Sequence, residues 1–140
     1  MGNVDYSHNN GSIKIKISGR RIQQNLAKAQ RYLDGQVLED SNKYVPFRNG
    51  ELRRSGIRNT VIGSGTVQWN TPYAHYQYKG KDMIGTVTKR HWAARGEPKE
   101  YNGKKLRYHT AGTSGSWFEK AKKVHGKDWV KKAKRIAGGR

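Results

Sequence analysis

Two histidines and two glutamates within one stretch are the residues of this chain whose types suit acid–base catalysis: His91, Glu97, Glu100 and His109. Imidazole and carboxylate groups exchange protons with a substrate near neutral pH when they converge on it. A small basic ribonuclease could use such a set, but no recognised catalytic motif surrounds these residues. A basic ribonuclease is therefore our third hypothesis, and we expect a protein that is not an enzyme.

Residues for thiol chemistry, metal binding or phosphate binding are absent from the chain or scattered along it. The chain has no cysteine, which excludes disulfides, cysteine-bound zinc and thiol catalysis. His8, His75 and His125 form no HxH or HExxH pattern. The glycine turn at residues 63–65 lacks the further glycine, the lysine and the helix of a phosphate-binding loop. We expect no metal and no cofactor.

The charge of the chain is strongly one-sided. Its 140 residues carry 29 lysines and arginines against 10 acids, a formal net charge of +19. Such a surplus attracts polyanions or acidic protein faces and opposes self-association. Hydrophobic residues make up 33% and the mean hydropathy is -1.05, which predicts a thinly cored domain. No apolar run approaches the ~18 residues of a membrane span, so we expect no membrane contact.

Basic and aromatic residues interleave between residues 80 and 115. Trp92, Tyr101 and Tyr108 stand among lysines and arginines, a mixture that suits phosphate contact and base stacking. No zinc-knuckle, RNP, KH or helix-turn-helix pattern accompanies it, so the second hypothesis is a nucleic-acid-binding protein without sequence preference. A lysine stripe near the C-terminal end is equally consistent with a solvated helix face and with a partner surface.

The first part of the chain predicts an arm, a strand and a helix. Residues 1–11 are polar and predict a flexible arm. Isoleucine then alternates with lysine from Ile13 to Ile17, which indicates a half-buried strand. A helix is predicted from Gly19 to about Ser41. Its expected core-facing stripe is Ile22, Leu26, Ala29, Leu33 and Val37.

A hairpin is expected next, because two β-prone runs flank a glycine-containing turn. Its strands would lie at residues 57–62 and 66–69, after one short helical turn at residues 51–55. An aromatic cluster follows that is either the main anchor of the core or a contact surface. Within it we expect Tyr73 to be buried and Tyr78 to contact a neighbour.

Residues 80–115 predict a long basic loop insert, with short strands at residues 83–88 and 106–110. Ser116 and Glu119 match a capping box, which predicts a final helix running to about Ala137. The order of elements predicts a single α+β domain over residues 1–140. In it, two helices pack on a small antiparallel sheet that includes the hairpin.

Three segments carry recognisable motifs. Tyr44–Ser55 has the pattern VP-x-x-x-G-x-L-R-x-S, Trp69–Gly80 has a PYA…Y-G element after a glycine turn, and Trp117–Lys122 begins the final helix with a tryptophan and an Ala-Lys pair. The matching residues of the first motif are Val45, Pro46, Gly50, Leu52, Arg53 and Ser55. In this order the three segments resemble the minor capsid and tail completion proteins of tailed bacteriophages, which join head and tail at the neck. With the preceding helix, the resemblance covers about residues 19–137.

The resemblance implies a structural virion protein of the phage neck. It implies a homo-oligomeric ring that joins the DNA-filled capsid, through portal or connector proteins, to tail proteins of the same virion. It implies no catalysis and no cofactor, and localisation in the virion after assembly in the host cytoplasm.

The basic residues are expected to meet mainly acidic faces of neighbours, with contact to channel DNA left open. The candidate partner-interface residues are Tyr76, Tyr78, Lys81, Lys89, Arg90, Trp92, Lys104, Lys105, Lys120, Lys123, Lys127, Lys131 and Lys134.

Overall fold

The computed structural model describes residues 3–9 and 12–140, with side chains from residue 19 onward. Helices and antiparallel strand pairs in this part of the chain confirm the predicted α+β class. The elements are β1 (Asn3–Asn9), β2 (Ser12–Ser18), α1 (Arg20–Asn42), α2 (Glu51–Asn59), α3 (Ala74–Lys79), β3 (Lys81–Gly85), β4 (Lys99–Lys105) and α4 (Trp117–Ala137).

β1 and β2 form an antiparallel ribbon directly before α1. β2 confirms the predicted strand, whereas Asn3–Asn9, expected within a flexible arm, form β1. Residues 1, 2, 10 and 11 of that expected arm lie outside the described residues. The register of the ribbon pairs Val4 with Ile17 and Tyr6 with Ile15 across the two strands.

α1 and α4 are the predicted long helices and pack against each other. The prediction that the apolar stripe of α1 faces the core is only partly correct. Ala29 is buried, but Ile22 and Leu26 are 44% and 55% exposed. The buried face of α1 is largely polar and includes Asn25, Asp34, Asp40 and Ser41. This face can be buried because its two carboxylates accept several hydrogen bonds.

Asp40 links the two long helices. The indole Nε1 of Trp129 in α4 donates to Asp40 Oδ2 at 2.7 Å, and Gln36 and Lys43 donate to the same carboxylate at 3.0 and 3.2 Å. Desolvation by burial acts to raise the pKa of Asp40, but these hydrogen bonds outweigh it and hold the pKa below its ordinary value. The carboxylate is therefore ionised and paired in the folded protein.

The hairpin predicted between residues 57 and 69 is wrong. The helical turn expected before it extends into the full helix α2, which ends at Asn59. No strand is present in residues 60–73, all of which the structure describes. The first expected strand is therefore partly helical, and the second is an irregular segment.

The predicted glycine turn is present, but side chains hold it in place of a strand ladder. Asp34 Oδ2 accepts the backbone N–H groups of Gly63 and Gly65 at 2.7 and 2.9 Å. The Thr60 hydroxyl accepts the Gln68 N–H at 3.2 Å. These acceptors replace the cross-strand partners that a ladder would have supplied.

Trp117, at the start of α4, is the centre of the hydrophobic core and is 1% exposed. Val45, Leu52 and Ala74 form the buried cluster with it. The rings of Trp69 and Tyr78 pack edge-on against its indole, with centroid distances of 5.7 and 4.7 Å. Segments between residues 45 and 117 thus meet at one indole.

The expected burial of Tyr73 is wrong, and Tyr78 is the tyrosine that packs on the core. Tyr73 is the N-cap of α3 and is 40% exposed. Tyr78 lies one helical turn after buried Ala74, on the same face, and so reaches Trp117. Its hydroxyl donates to Glu119. Burial, and then the hydrogen bond and charge of Glu119, raise the pKa of Tyr78 well above its ordinary value.

The long loop predicted at residues 80–115 contains a hairpin instead. β3 pairs antiparallel with β4, with an irregularity between Lys81 and Met83. The strand predicted at residues 83–88 overlaps β3, but the one at residues 106–110 is wrong, because β4 is the strand that completes the pair.

The capping box is also wrong. Ser116 has a φ of 50° and makes no side-chain cap hydrogen bond. Its proposed partner Glu119 instead accepts from Tyr78. The start of α4 is therefore fixed by its contact with α3, and not by a local cap.

Replacing Asp40 by Asn should lower the free energy of unfolding at neutral pH by about 1.5–3 kcal/mol, the range for hydrogen bonds to a charged group. The pKa of Asp40 is lower in the folded than in the unfolded chain. Its contribution is therefore present above the unfolded pKa of about 3.9 and is lost as the pH falls through the folded pKa. Urea denaturation of both proteins over this pH range should show the difference shrinking with acidification. A difference that does not change with pH would contradict this role.

Candidate interaction surfaces

The histidines and glutamates that suited acid–base catalysis have separate structural partners. Glu97 accepts the backbone N–H groups of Thr88 and Val87, both at 2.6 Å. The hydrogen bond from Thr88 is the main cause that holds the pKa of Glu97 below its ordinary value. Glu100 pairs with Lys89, and His91 Nδ1 lies 3.0 Å from Asp82 Oδ1. These partners make the carboxylates parts of the hairpin's own structure.

His109 lies apart from that loop, in a cleft with Phe47, Gln77 and Arg107. Within residues 19–140, the histidines and carboxylates form no cluster that could hold a metal ion. None of the described helices is long and apolar enough to cross a membrane.

A cleft between the β3–β4 hairpin and the start of α4 has a basic rim and an apolar floor. We call it the lysine cleft; its volume is about 580 Å³. The floor is formed mainly by tyrosine rings and Leu106, and the rim carries lysines from α3, β3, β4 and α4. The lysines are Lys79, Lys81, Lys104, Lys105 and Lys120, and the tyrosines are Tyr78, Tyr101 and Tyr108.

Backbone contacts between distant segments build this cleft. The Tyr108 hydroxyl donates to Gln77 O at 2.6 Å, and burial raises the pKa of Tyr108. The N–H of Ser116 donates to Tyr78 O at 2.9 Å. A Cβ on Gly115 would meet Tyr78 O at 2.6 Å, so only glycine fits where α4 approaches α3. The cleft walls are therefore fixed by the packing of the domain.

The lysines of the cleft have no carboxylate partner among residues 19–140. The ion pairs of this part of the chain involve other cations, such as Lys89 with Glu100 and Arg58 with Glu51. The Nζ of Lys81 lies 5.0 Å from the centroid of the Tyr101 ring, a cation–π contact. The acids adjacent to Lys81 and Lys120 are Asp82 and Glu119, and they already accept from Asn102 and Tyr78. The charge at the rim is therefore not neutralised by residues 19–140.

A second surface, which we call the apolar groove, follows α1 and α4. It has a volume of about 690 Å³ and is lined by Val37, Phe118, Trp129 and Val130. Val37 and Phe118 also line an adjoining cleft of about 490 Å³ that continues past Leu33. Val130 is 51% exposed. Several residues that helical periodicity assigns to the core therefore line an open groove.

The structure distributes the candidate interface residues over these surfaces. Tyr78 and four of the candidate lysines line the lysine cleft. Three lysines of the α4 stripe border the apolar groove: Lys127, Lys131 and Lys134. Lys123 is exposed outside both surfaces.

The remaining candidates lie elsewhere. Lys89 is paired with Glu100, Arg90 is exposed, and Trp92 is 59% exposed. Tyr76 is half-buried, with its ring 5.8 Å from that of His75. Sequence reasoning missed Leu106 as part of the cleft and Val37 as part of the groove. The sequence carries no local signal for either, because both depend on which helix faces are covered.

Comparison with known proteins identifies the class of this chain. Residues 8–137 match the model of the minor capsid protein family, so the chain belongs to that family. This confirms the resemblance seen in the motifs and makes the chain a structural protein of the bacteriophage virion. No curated protein and no solved structure matches it.

Because Tyr78 both packs on Trp117 and lines the lysine cleft, its truncation should be costly. We expect Tyr78→Ala to lower the free energy of unfolding by about 3 kcal/mol, as for other aromatic truncations in cores. The matched control, Tyr73→Ala, removes an exposed ring from the preceding turn and should cost about 1 kcal/mol or less. Thermal and urea unfolding of both variants measure this. Equal losses, or a larger loss for Tyr73→Ala, would contradict the placement of the two rings.

Proposed function

We propose that this minor capsid protein forms a ring in the phage neck and joins the DNA-filled capsid, at its portal or connector, to the tail. The motifs between residues 44 and 122 that resemble neck proteins support this place within the virion. In this proposal the chain acts by binding, without catalysis and without a cofactor.

The observation that carries the proposal is a pair of different surfaces on one small domain. One is the apolar groove on α1 and α4. The other is the two-stranded β1–β2 ribbon, whose register pairs Val4 with Ile17 and Tyr6 with Ile15. An isolated two-stranded ribbon is at best marginally stable in water, so it needs a further surface to pack against.

Two unlike faces on one subunit are suited to head-to-tail contact. A heterologous contact, in which one face binds a different face of the next copy, generates a closed ring when the rotation closes. A subunit with a single self-complementary face would give a two-fold dimer instead. In our proposal the ribbon of one copy covers the groove of the next.

The positive charge of the chain favours assembly only where acidic virion proteins are present. With a net charge of +19, isolated copies repel each other. Acidic faces of neighbouring virion proteins would remove this repulsion and allow the ring to form. A strongly basic lumen would bind the passing DNA, since each neutralised phosphate adds salt-dependent affinity. We therefore place most of the lysines against protein neighbours.

The ring contact can be tested with a matched pair of valines on α4. Val130 lines the groove and is 51% exposed, whereas Val124 lies outside it and is 61% exposed. Val130→Glu would place an unpaired carboxylate in the contact, which costs several kcal/mol, so joined particles should fall at least about tenfold. Val124→Glu adds the same charge on the same helix and should leave joining unchanged. Both isolated proteins should keep the wild-type melting temperature, because both side chains are largely exposed.

Electron microscopy of lysates from phage carrying each variant would count joined particles against full heads and free tails. Normal joining with Val130→Glu would show that the groove is not a ring contact. Equal failure of both variants would show a general effect of charge, and would also contradict the proposed contact.

A further inference from the structure

We infer that the lysine cleft binds an extended acidic segment of an adjoining virion protein, with one aromatic or aliphatic side chain of that segment seated on the tyrosine floor. This rests on the proposed function for where the partner comes from, and adds the site and the chemistry of its ligand. The cleft is separate from the apolar groove that we assign to the next copy.

The anionic character of the ligand follows from the rim. Five lysines from α3, β3, β4 and α4 surround one opening of about 580 Å³. None of them pairs with a carboxylate among residues 19–140, although Lys89 and Arg58 elsewhere on the surface do so. Bringing five ammonium groups together costs repulsion unless counter-charges are supplied. Several carboxylates on one segment would supply them at once.

The apolar part of the ligand follows from the floor. Leu106 and the rings of Tyr101 and Tyr108 present carbon surface at the bottom of the cleft. Tyr101 is 48% exposed. Carboxylates alone would leave this surface in contact with water. One apolar side chain between the acidic residues would bury it and fix the register of the segment.

A polypeptide fits this floor better than single-stranded nucleic acid does. Binding of bases needs free ring faces for stacking. Tyr78 is packed edge-on against Trp117, and the Lys81 amine lies over the Tyr101 ring. The hydroxyl of Tyr108 is tied to the backbone of α3. The rim also carries lysines and no arginine, the residue that recognises phosphate bidentately.

The inference can be tested on the isolated full-length chain by fluorescence anisotropy. The probe is a labelled acetylated hexapeptide, EEFLEE, compared with the equally charged hexapeptide EEGGEE and with single-stranded oligothymidylate. Neutralising four of the five cleft lysines by combined Lys81→Gln, Lys104→Gln, Lys105→Gln and Lys120→Gln should weaken binding of EEFLEE at least about tenfold.

The matched control neutralises four lysines of the α4 stripe that lie outside the cleft. The control substitutions are Lys123→Gln, Lys127→Gln, Lys131→Gln and Lys134→Gln. This control removes the same charge and should weaken binding less than about threefold. Tyr101→Ala should abolish the preference for EEFLEE over EEGGEE while keeping the binding of both.

Equal losses in the two quadruple variants would overturn the inference, because the peptide would then be responding to net charge alone. Tighter binding of oligothymidylate than of EEFLEE, lost on neutralising the cleft, would make the cleft a nucleic-acid site and would also overturn it. The assay does not require ring assembly, so its result tests the cleft separately from the proposed function. Specific peptide binding by a chain absent from the neck would overturn the proposed function and leave the cleft's chemistry standing.

Discussion

Two buried carboxylates of α1 determine how the rest of the chain is arranged. Asp34 holds the loop between α2 and α3 through two backbone N–H groups, and Asp40 holds Trp129 of α4. Both are 3% exposed, in a chain with only 10 acids. Leaving the partners of a buried charge unpaired is expensive, so these contacts select which face of α1 turns inward. The face they select is polar, and apolar Ile22 and Leu26 remain at the surface.

This choice explains why so small a domain keeps apolar surface outside. The core around Trp117 is formed by few side chains, with Val45, Leu52 and Ala74 as its other buried members. Val37 and Val130 are left to line a groove. Exposed apolar surface of this kind marks contact sites in soluble proteins. A subunit that is completed by its neighbours, and held apart from other copies by its charge until it meets them, is consistent with both observations.

The sequence predicts the parts of this fold that depend on local periodicity. Both long helices and strand β2 follow from the spacing of apolar residues, and the family follows from short motifs. The hairpin prediction failed because Asp34, 29 and 31 residues away, binds the N–H groups of the glycine turn between the supposed strands. Nothing local distinguishes such an acceptor from an ordinary helical aspartate. The exposure of Tyr73 and the packing of Tyr78 on Trp117 likewise depend on where α3 begins.

The two interaction surfaces were only partly predictable for the same reason. The lysines of the cleft stand out in the sequence one by one, but Lys81 and Lys120 meet only because the start of α4 packs against α3. The apolar groove was not predicted, because periodicity assigns its residues to the core. Tertiary contacts decide which apolar stripe is covered, and a single sequence does not record them.

The central claim is that this subunit is completed by other copies in a ring at the head–tail interface. A cryo-electron microscopy map of the neck in purified virions, refined without imposed symmetry before averaging, tests it most directly. The account predicts a closed ring of this chain between portal or connector and tail, in which the β1–β2 ribbon of one copy covers Val130 and Phe118 of the next. A map that places the chain elsewhere in the virion, or shows a ring whose α1–α4 groove faces solvent, would contradict it.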